Sequence, residues 1–206
     1  MLQIKPDEHV FVAGRTGSGK TFLTKKYLLF APKVYCLDLK KTLRWGGIPD
    51  DQIDYLETLE KVVKSKKQKV IYQPNWKEME AGYYNEFFKF IYEKEECICW
   101  IDETMGIGTA VKYPEYYKAI LTRGRELGIS VWSCTQRPAS IPIISMSEAT
   151  HYFVFDLNMR KDRQRIAEIS GADEFNRKPG KYVFWYYHMT DSKVPVRAKL
   201  TKKEEV

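Results

Sequence analysis

The sequence predicts an α/β fold: a mainly parallel central sheet with helices on both faces and a C-terminal β-hairpin. Three observations carry that expectation. Short apolar runs of strand length alternate with longer helical segments along most of the chain. Some runs, CICWI among them, are apolar at every position, as in strands buried on both sides. The last two, KYVFWYYH and KVPVRAKL, read as a terminal hairpin.

The elements follow in order. VFVA (10–13) is a strand leading into a Gly-rich turn and a helix from about Gly19 to Phe30. VYCLDL (34–39) is a second strand, followed by a charged helical stretch from about Asp50 to Ser65. KVIYQ (69–73) is a third, with an aromatic-rich helix from about Met79 to Tyr92 after it. CICWI (97–101) and ISVWSC (129–134) bracket a helix from about Pro114 to Leu127. HYFVFDL (151–157) precedes a helix from about Lys161 to Ser170.

Composition narrows the class. The 206 residues are 44% hydrophobic and 30% charged, enough to bury one full-sized core and unlike a disordered chain. With no internal repeat and no Pro/Ser-rich linker, a single domain spanning 1–206 is expected. No apolar run reaches the roughly 18 residues a membrane span needs. MLQIKPDEHV lacks the apolar stretch of a signal peptide. Cys36, Cys97, Cys99 and Cys134 all lie in apolar runs without Cys-x-x-Cys spacing, so buried free thiols are expected rather than disulfides or a zinc site. The formal net charge of +7 suits a polyanionic partner, although each basic cluster taken alone reads as a solvated face.

The first strand runs into GRTGSGKT, which matches G-x-x-x-x-G-K-[ST] at every defined position and lies between a strand and a helix. Gly14, Arg15, Thr16, Gly17, Ser18, Gly19, Lys20 and Thr21 would form a loop whose amides face phosphate oxygens, aided by the positive end of the helix dipole. Lys20 reaches the β- and γ-phosphates of ATP, and the Thr21 hydroxyl ligates Mg²⁺. In CICWIDE, an apolar strand ends in acids: Asp102 is placed to hold the Mg²⁺ shell and Glu103 to activate a water as general base. A plain surface acid is the simpler reading of Glu103. An Asp-Glu pair here favours hydrolysis over phosphate transfer to a small acceptor.

The next strand, 129–134, is expected beside the phosphate loop, so that Gln136 emerges near the γ-phosphate to orient water or sense the phosphate. Its simpler reading is a loop amide capping a turn. Arg125, three residues before Gly128, then an apolar strand ending in Thr135-Gln136-Arg137-Pro138, resembles the FtsK/HerA superfamily of DNA-pumping ATPases. The segment DRQRIAEISGADEFNRKPGKYVFW is similar to that family's ending, so the resemblance runs from Gly14 to about Trp185.

The resemblance implies a RecA-like core and a ring, a hexamer in the family, with active sites at subunit boundaries. Arg125 would then be the arginine supplied in trans, with Arg123 and Arg137 as second choices; ordinary exposed arginines are the simpler reading. Such an arginine is worth about 10³–10⁵ in rate in other NTPases. Cellular translocases of the family are larger. The size resembles the genome-packaging ATPases of double-stranded DNA viruses with an internal membrane, which implies double-stranded DNA and capsid-vertex or membrane proteins of a virion as partners. It also implies a place in the infected cell's cytoplasm or at the packaging vertex. The rivals are a phage-assembly or secretion ATPase extruding single-stranded DNA or protein, a nucleoside or nucleotide kinase, and a slow regulatory switch. The loop TMGIGTAVKYPEYY (104–117), with Lys112, can line a pore or merely connect. The tryptophans Trp45, Trp76, Trp100, Trp132 and Trp185 read as core and interface.

Overall fold

A computed structural model describes residues 3–80 and 82–201. Residues 1–2, 81 and 202–206 belong to the expected span of 1–206 but lie outside the described residues, as does position 81 of the helix expected from Met79 to Tyr92.

Among the described residues, nine strands form one sheet. They are β1 (Val10–Ala13), β2 (Val34–Leu37), β3 (Ile53–Leu56), β4 (Lys69–Tyr72), β5 (Ile98–Ile101), β6 (Ser130–Thr135), β7 (His151–Phe155), β8 (Val183–His188) and β9 (Val196–Lys199). Their order across the sheet is β3-β4-β2-β5-β6-β1-β7-β8-β9. The pairings from β3 to β7 are all parallel, and β8 and β9 add an antiparallel hairpin against β7. The expected α/β class, parallel sheet and terminal hairpin are therefore all present.

Alternation along each strand sends side chains to two faces. On one face, Tyr35, Leu37, Val70, Cys99, Ile101 and Val131 meet α2 (Leu59–Lys64), α4 (Tyr84–Lys94) and α5 (Glu115–Arg123). Further along, Phe11, Tyr152 and Val154 pack on Ile166 and Ala167 of α7 (Arg160–Ser170) and on Phe175. On the other face, Val10, Val12, Cys36, Trp100 and Trp132 are covered by α1 (Lys20–Leu28) and by Leu43 and Trp45 from the β2–β3 connection. Trp45 meets Trp100 edge-on at 5.5 Å between ring centroids. Trp45, Trp100 and Trp132 are core as expected, but Trp76 is 72% exposed. All four cysteines are free and buried, and burial pushes the Cys97 and Cys134 thiols up to about 12.

Three expected helices differ. The stretch 50–65 is not one helix but a 3₁₀ turn (Asp50–Gln52), the edge strand β3 and the six-residue α2. An edge strand needs only partial cover, so β3 buries Ile53 alone while Asp54 accepts a hydrogen bond from Ser65 Oγ at 2.7 Å. The stretch 79–92 is two helices, α3 (Trp76–Glu80) and α4, with Gly82 at φ 70° between them. The helix expected to reach Leu127 ends at Arg123 and tightens into a 3₁₀ turn, Gly124–Leu127. There Ile129 donates its amide to Gly124 O at 2.7 Å, and Gly128 takes a left-handed φ of 66°.

Phe88 of α4 is fully buried against Phe87 and Tyr117. Phe88→Ala should cost about 3–5 kcal/mol in denaturant unfolding, the range for emptying a large aromatic site; a loss under about 1 kcal/mol would contradict this packing.

Candidate active site

Because β1 lies between β6 and β7, the loop that follows it emerges between their carboxyl ends. Gly14 donates its amide to Thr135 O at 3.1 Å, and Arg15 donates to Asp156 O at 2.8 Å, so the loop hangs from both neighbouring strands. A side chain at Gly14 would meet Phe155 Cβ and Ser18 Oγ at 2.6 Å. Gly17 and Gly19 have φ of 74° and 109°, a region L side chains rarely enter. Helix α1 starts at Lys20 with Gly19 as its cap and no side-chain cap bond, which leaves its first-turn amides for an anion.

Lys20 is buried and folds over the loop, donating to Gly14 O at 2.7 Å and to Arg15 O at 3.3 Å. Burial holds its ammonium below the ordinary lysine range. Thr21 Oγ1 donates to Asp102 Oδ1 at 3.1 Å, so the hydroxyl and carboxylate expected to share a cation are neighbours. Burial raises Asp102 above the usual carboxylate range, against the Thr21 hydrogen bond, and the nearby Asp38 adds to the rise. The buried Ser18 Oγ has no hydrogen-bond partner among the described residues. A glycine-walled loop, an orphaned hydroxyl and a desolvated carboxylate beside Thr21 together fit a phosphate group with a divalent hard cation.

Glu103 follows Asp102 and is 6% exposed. Its Oε1 accepts from Thr135 Oγ1 at 3.1 Å and from the Gln136 amide at 3.3 Å, and its Oε2 accepts from Lys40 Nζ at 3.2 Å. Three hydrogen bonds thus hold the carboxylate in place, and one lone pair of Oε2 remains for a proton from water. The Gln136 side chain reaches the loop itself, with Oε1 accepting from Thr16 Oγ1 at 2.7 Å. Lys20, Thr21, Asp102, Glu103 and Gln136 therefore gather at one edge of the sheet.

The arginines do not gather there. Arg123 ends α5 and Arg125 lies in the 3₁₀ turn ahead of β6; both are exposed. Since β6 and β1 are parallel, these two sit at the opposite end of the sheet from the phosphate loop. Arg137 stays near the loop, but its Nε is bonded to the buried Asp162 carboxylate at 3.0 Å. Arg15, within the loop, pairs with Asp156 at 3.2 Å.

Several site residues escape sequence reasoning. Asp38, fully buried at the end of β2, accepts from the amides of Lys40 (3.1 Å) and Leu43 (2.8 Å) and from Gln73 Nε2 (2.8 Å). It orders the turn from which Lys40 reaches Glu103. The one signal was an acid at the end of an apolar strand, the same signal that marked Asp102. An apolar cavity of about 330 Å³ lies beside Gly19, lined also by Phe22, Tyr182 and Leu200. Tyr182 and Leu200 flank the strands of the C-terminal hairpin, more than 160 residues from Gly19, and nothing local marks them.

A phosphate loop after the central parallel strand β1, with acids at the end of β5, one strand removed across β6, facing it, is the P-loop NTPase fold. By sequence the chain matches no family model and no curated protein. By fold it is similar to the genome packaging NTPase B204 of Sulfolobus turreted icosahedral virus 2, at TM-score 0.79 and 16% identity over 97% of this chain and 99% of that one. It is also similar to the pCW3 conjugation coupling protein TcpA, at TM-score 0.59 and 14% identity over 93% of this chain and 59% of that one. The N-terminal domain of zonular occludens toxin from Neisseria meningitidis aligns at TM-score 0.54 and 16% identity over 96% and 95%. The resemblance expected from the sequence is thus borne out at the level of fold.

Gly14→Ala should weaken nucleotide binding by about 5- to 150-fold, the consequence of roughly 1–3 kcal/mol of loop strain. Titration with a fluorescent ATP analogue checks this, beside a circular dichroism spectrum that should stay unchanged.

Proposed function

We propose that this chain is an ATPase of the FtsK/HerA type that hydrolyses ATP to move double-stranded DNA, as a genome-packaging motor loading a capsid. The observation that carries the reading is the position of β6 between β5 and β1. Its carboxyl end joins the two halves of the site, with Thr135 and Gln136 on Glu103 and the Gln136 side chain on Thr16. The likeness to the B204 packaging NTPase, known in complexes with AMPPCP and ATP-gammaS, supports nucleotide use.

The chain's residues then divide the work. The loop amides and Lys20 bind phosphates, and Lys20 trades the Gly14 and Arg15 carbonyls for phosphate oxygens. Thr21 and Asp102 would hold Mg²⁺, whose part is to neutralise charge on the phosphates. Glu103 takes the proton of the attacking water, and Gln136 orients that water or reports the γ-phosphate. Phe22 and Tyr182 offer aromatic surface to a base in the cavity beside Gly19. Arg125, at the far end of its own sheet, is free to serve a neighbour in a ring. For DNA, the exposed turn carrying Val111 and Lys112, closed by the Thr109 amide on Lys112 O at 2.7 Å, is the candidate contact.

The adjoining acids argue against a kinase. The likeness to a conjugation coupling protein keeps an exporter of single strands in view. The deciding test is ATPase rate with no DNA, duplex DNA and single-stranded DNA, with particle size measured in the same buffer. Duplex stimulation of an assembled ring is expected; stimulation by single strands alone, or by neither, sinks the packaging reading.

Glu103→Gln should keep nucleotide affinity while cutting turnover by about 10²–10⁴, the usual worth of a general base. For Arg125, rings mixed from Arg125→Ala and Lys20→Ala subunits should recover hydrolysis that neither variant has alone. Mixed rings without recovery would remove Arg125 from the site.

A further inference from the structure

The end of the sheet remote from the phosphate loop carries a second cluster of chemistry-bearing side chains that the ATPase reading does not use. Antiparallel register sets His151, the first residue of β7, directly opposite His188, the last of β8. Their rings meet edge to face at 4.7 Å between centroids. Glu8 joins them from the segment before β1, where the amides of Thr150 and His151 donate to His9 O and hold that segment against the start of β7. One ring nitrogen of each histidine and one Glu8 carboxylate oxygen lie within 4.8 Å of one another. Glu8 and His151 are buried, and the group opens on a cavity of about 450 Å³.

We propose that Glu8, His151 and His188 form a binding site for a divalent transition cation of the zinc type, which ties the segment before β1 to the C-terminal hairpin. Two imidazoles and one carboxylate are a donor set that zinc takes in three-ligand sites, with the fourth position open. Here that position faces the cavity, which the Asp191 carboxylate also lines. The surroundings suit coordination. His151 Nδ1 lies 3.0 Å from Tyr186 OH, so a proton on Nδ1 leaves Nε2 to bind the ion, with the ring held by that hydrogen bond. The Asp191 amide donates to His188 Nδ1 at 3.1 Å, with the Thr190 hydroxyl at 3.2 Å, so Nε2 binds the ion only once the ring proton moves to Nδ1, where the Asp191 carboxylate 3.5 Å away accepts it. His151 Nε2 now lies 2.9 Å from Glu8 Oε2, and sharing a tetrahedral zinc needs only a spread to about 3.3 Å. The competing cation is Lys5, whose ammonium lies 3.4 Å from Glu8 Oε1 on a side chain that is 73% exposed and free to swing away.

The third histidine provides an internal control. His9 is committed on both sides, its Nε2 to Leu121 O and its Nδ1 to the Val131 amide, each at 3.0 Å. It has no lone pair to offer a metal without dismantling the start of β6.

The test is titration of the untagged full chain with zinc chloride, without nucleotide or magnesium, followed by the imidazole proton resonances and by competition with a chromophoric chelator. Binding of one equivalent at about micromolar affinity or tighter is expected, shifting the resonances of two histidines and leaving the third in place. His188→Ala and the isosteric Glu8→Gln should each weaken it by on the order of 100-fold, at least what loss of a supporting group costs at such sites. Lys20→Ala and Thr21→Ala should bind zinc like the parent, which separates this site from the nucleotide site whatever the fate of the ATPase reading. Should a variant fold poorly, cobalt substitution of the parent decides: intense visible bands of four-coordinate cobalt support the site, and a weak six-coordinate spectrum overturns it. Absence of binding at zinc concentrations well above the micromolar range, or binding lost in Thr21→Ala and retained in His188→Ala, also overturns it.

Discussion

The phosphate loop depends on two backbone hydrogen bonds, Gly14 N to Thr135 O and Arg15 N to Asp156 O, and most of the architecture serves to make them. They require β1 to lie between β6 and β7, parallel to both, with Ala13 level with Thr135 on one side and Val154 on the other. That arrangement buries β1 on both faces, which is why VFVA has no polar residue. It also brings the Phe155 side chain under the loop, close enough that only glycine fits at position 14. The cradle is therefore an outcome of sheet register and core packing as much as of its own glycines.

The same edge of the sheet collects ionisable groups that would be costly to bury singly. Lys20, Asp38, Asp102 and Glu103 are all at or below 9% exposure. Each has found partners: loop carbonyls for Lys20, two amides and Gln73 for Asp38, Thr21 for Asp102, and Thr135, Gln136 and Lys40 for Glu103. Partnering reduces the desolvation cost without removing it, and the lowered Lys20 and raised Asp102 express the remainder. A bound anion relieves the first and a bound cation the second. The site is thus electrostatically prepared for opposite charges arriving together, which is the form of a metal-complexed polyphosphate.

What the sequence made legible divides along physical lines. GRTGSGKT and CICWIDE are local patterns whose residue types follow from backbone geometry and burial, and β6 lies beside β1 as expected because parallel α/β sheets permit few strand orders. The edge strand β3 is not legible in its charged stretch, since an edge strand needs no continuous apolar run. Asp38 and Lys40 were visible as residues but not as a unit, because the link runs through Gln73 and Glu103 from other strands. The Phe22–Tyr182–Leu200 cavity and the Glu8–His151–His188 group lie further beyond reach. Each joins segments well over 100 residues apart, and the pairing of β7 with β1 on one side and with the terminal hairpin on the other brings them together.

The two ends of the sheet carry different chemistry, and their separation bears on how a ring would work. Strand β6 has six residues, so at roughly 3.3 Å per residue its ends are about 20 Å apart. Arg125 precedes its first residue and Gln136 follows its last, a span well beyond the reach of a side chain. Whatever phosphate Arg125 serves under the proposed mechanism belongs to another subunit. Arg125 also lines a cavity together with Glu8 and His188. A cation held by those residues would stiffen the surface from which the arginine projects. A trans-acting group gains most from such support, since its position relative to the neighbour's phosphate is fixed only through the interface and cannot be corrected from within its own site.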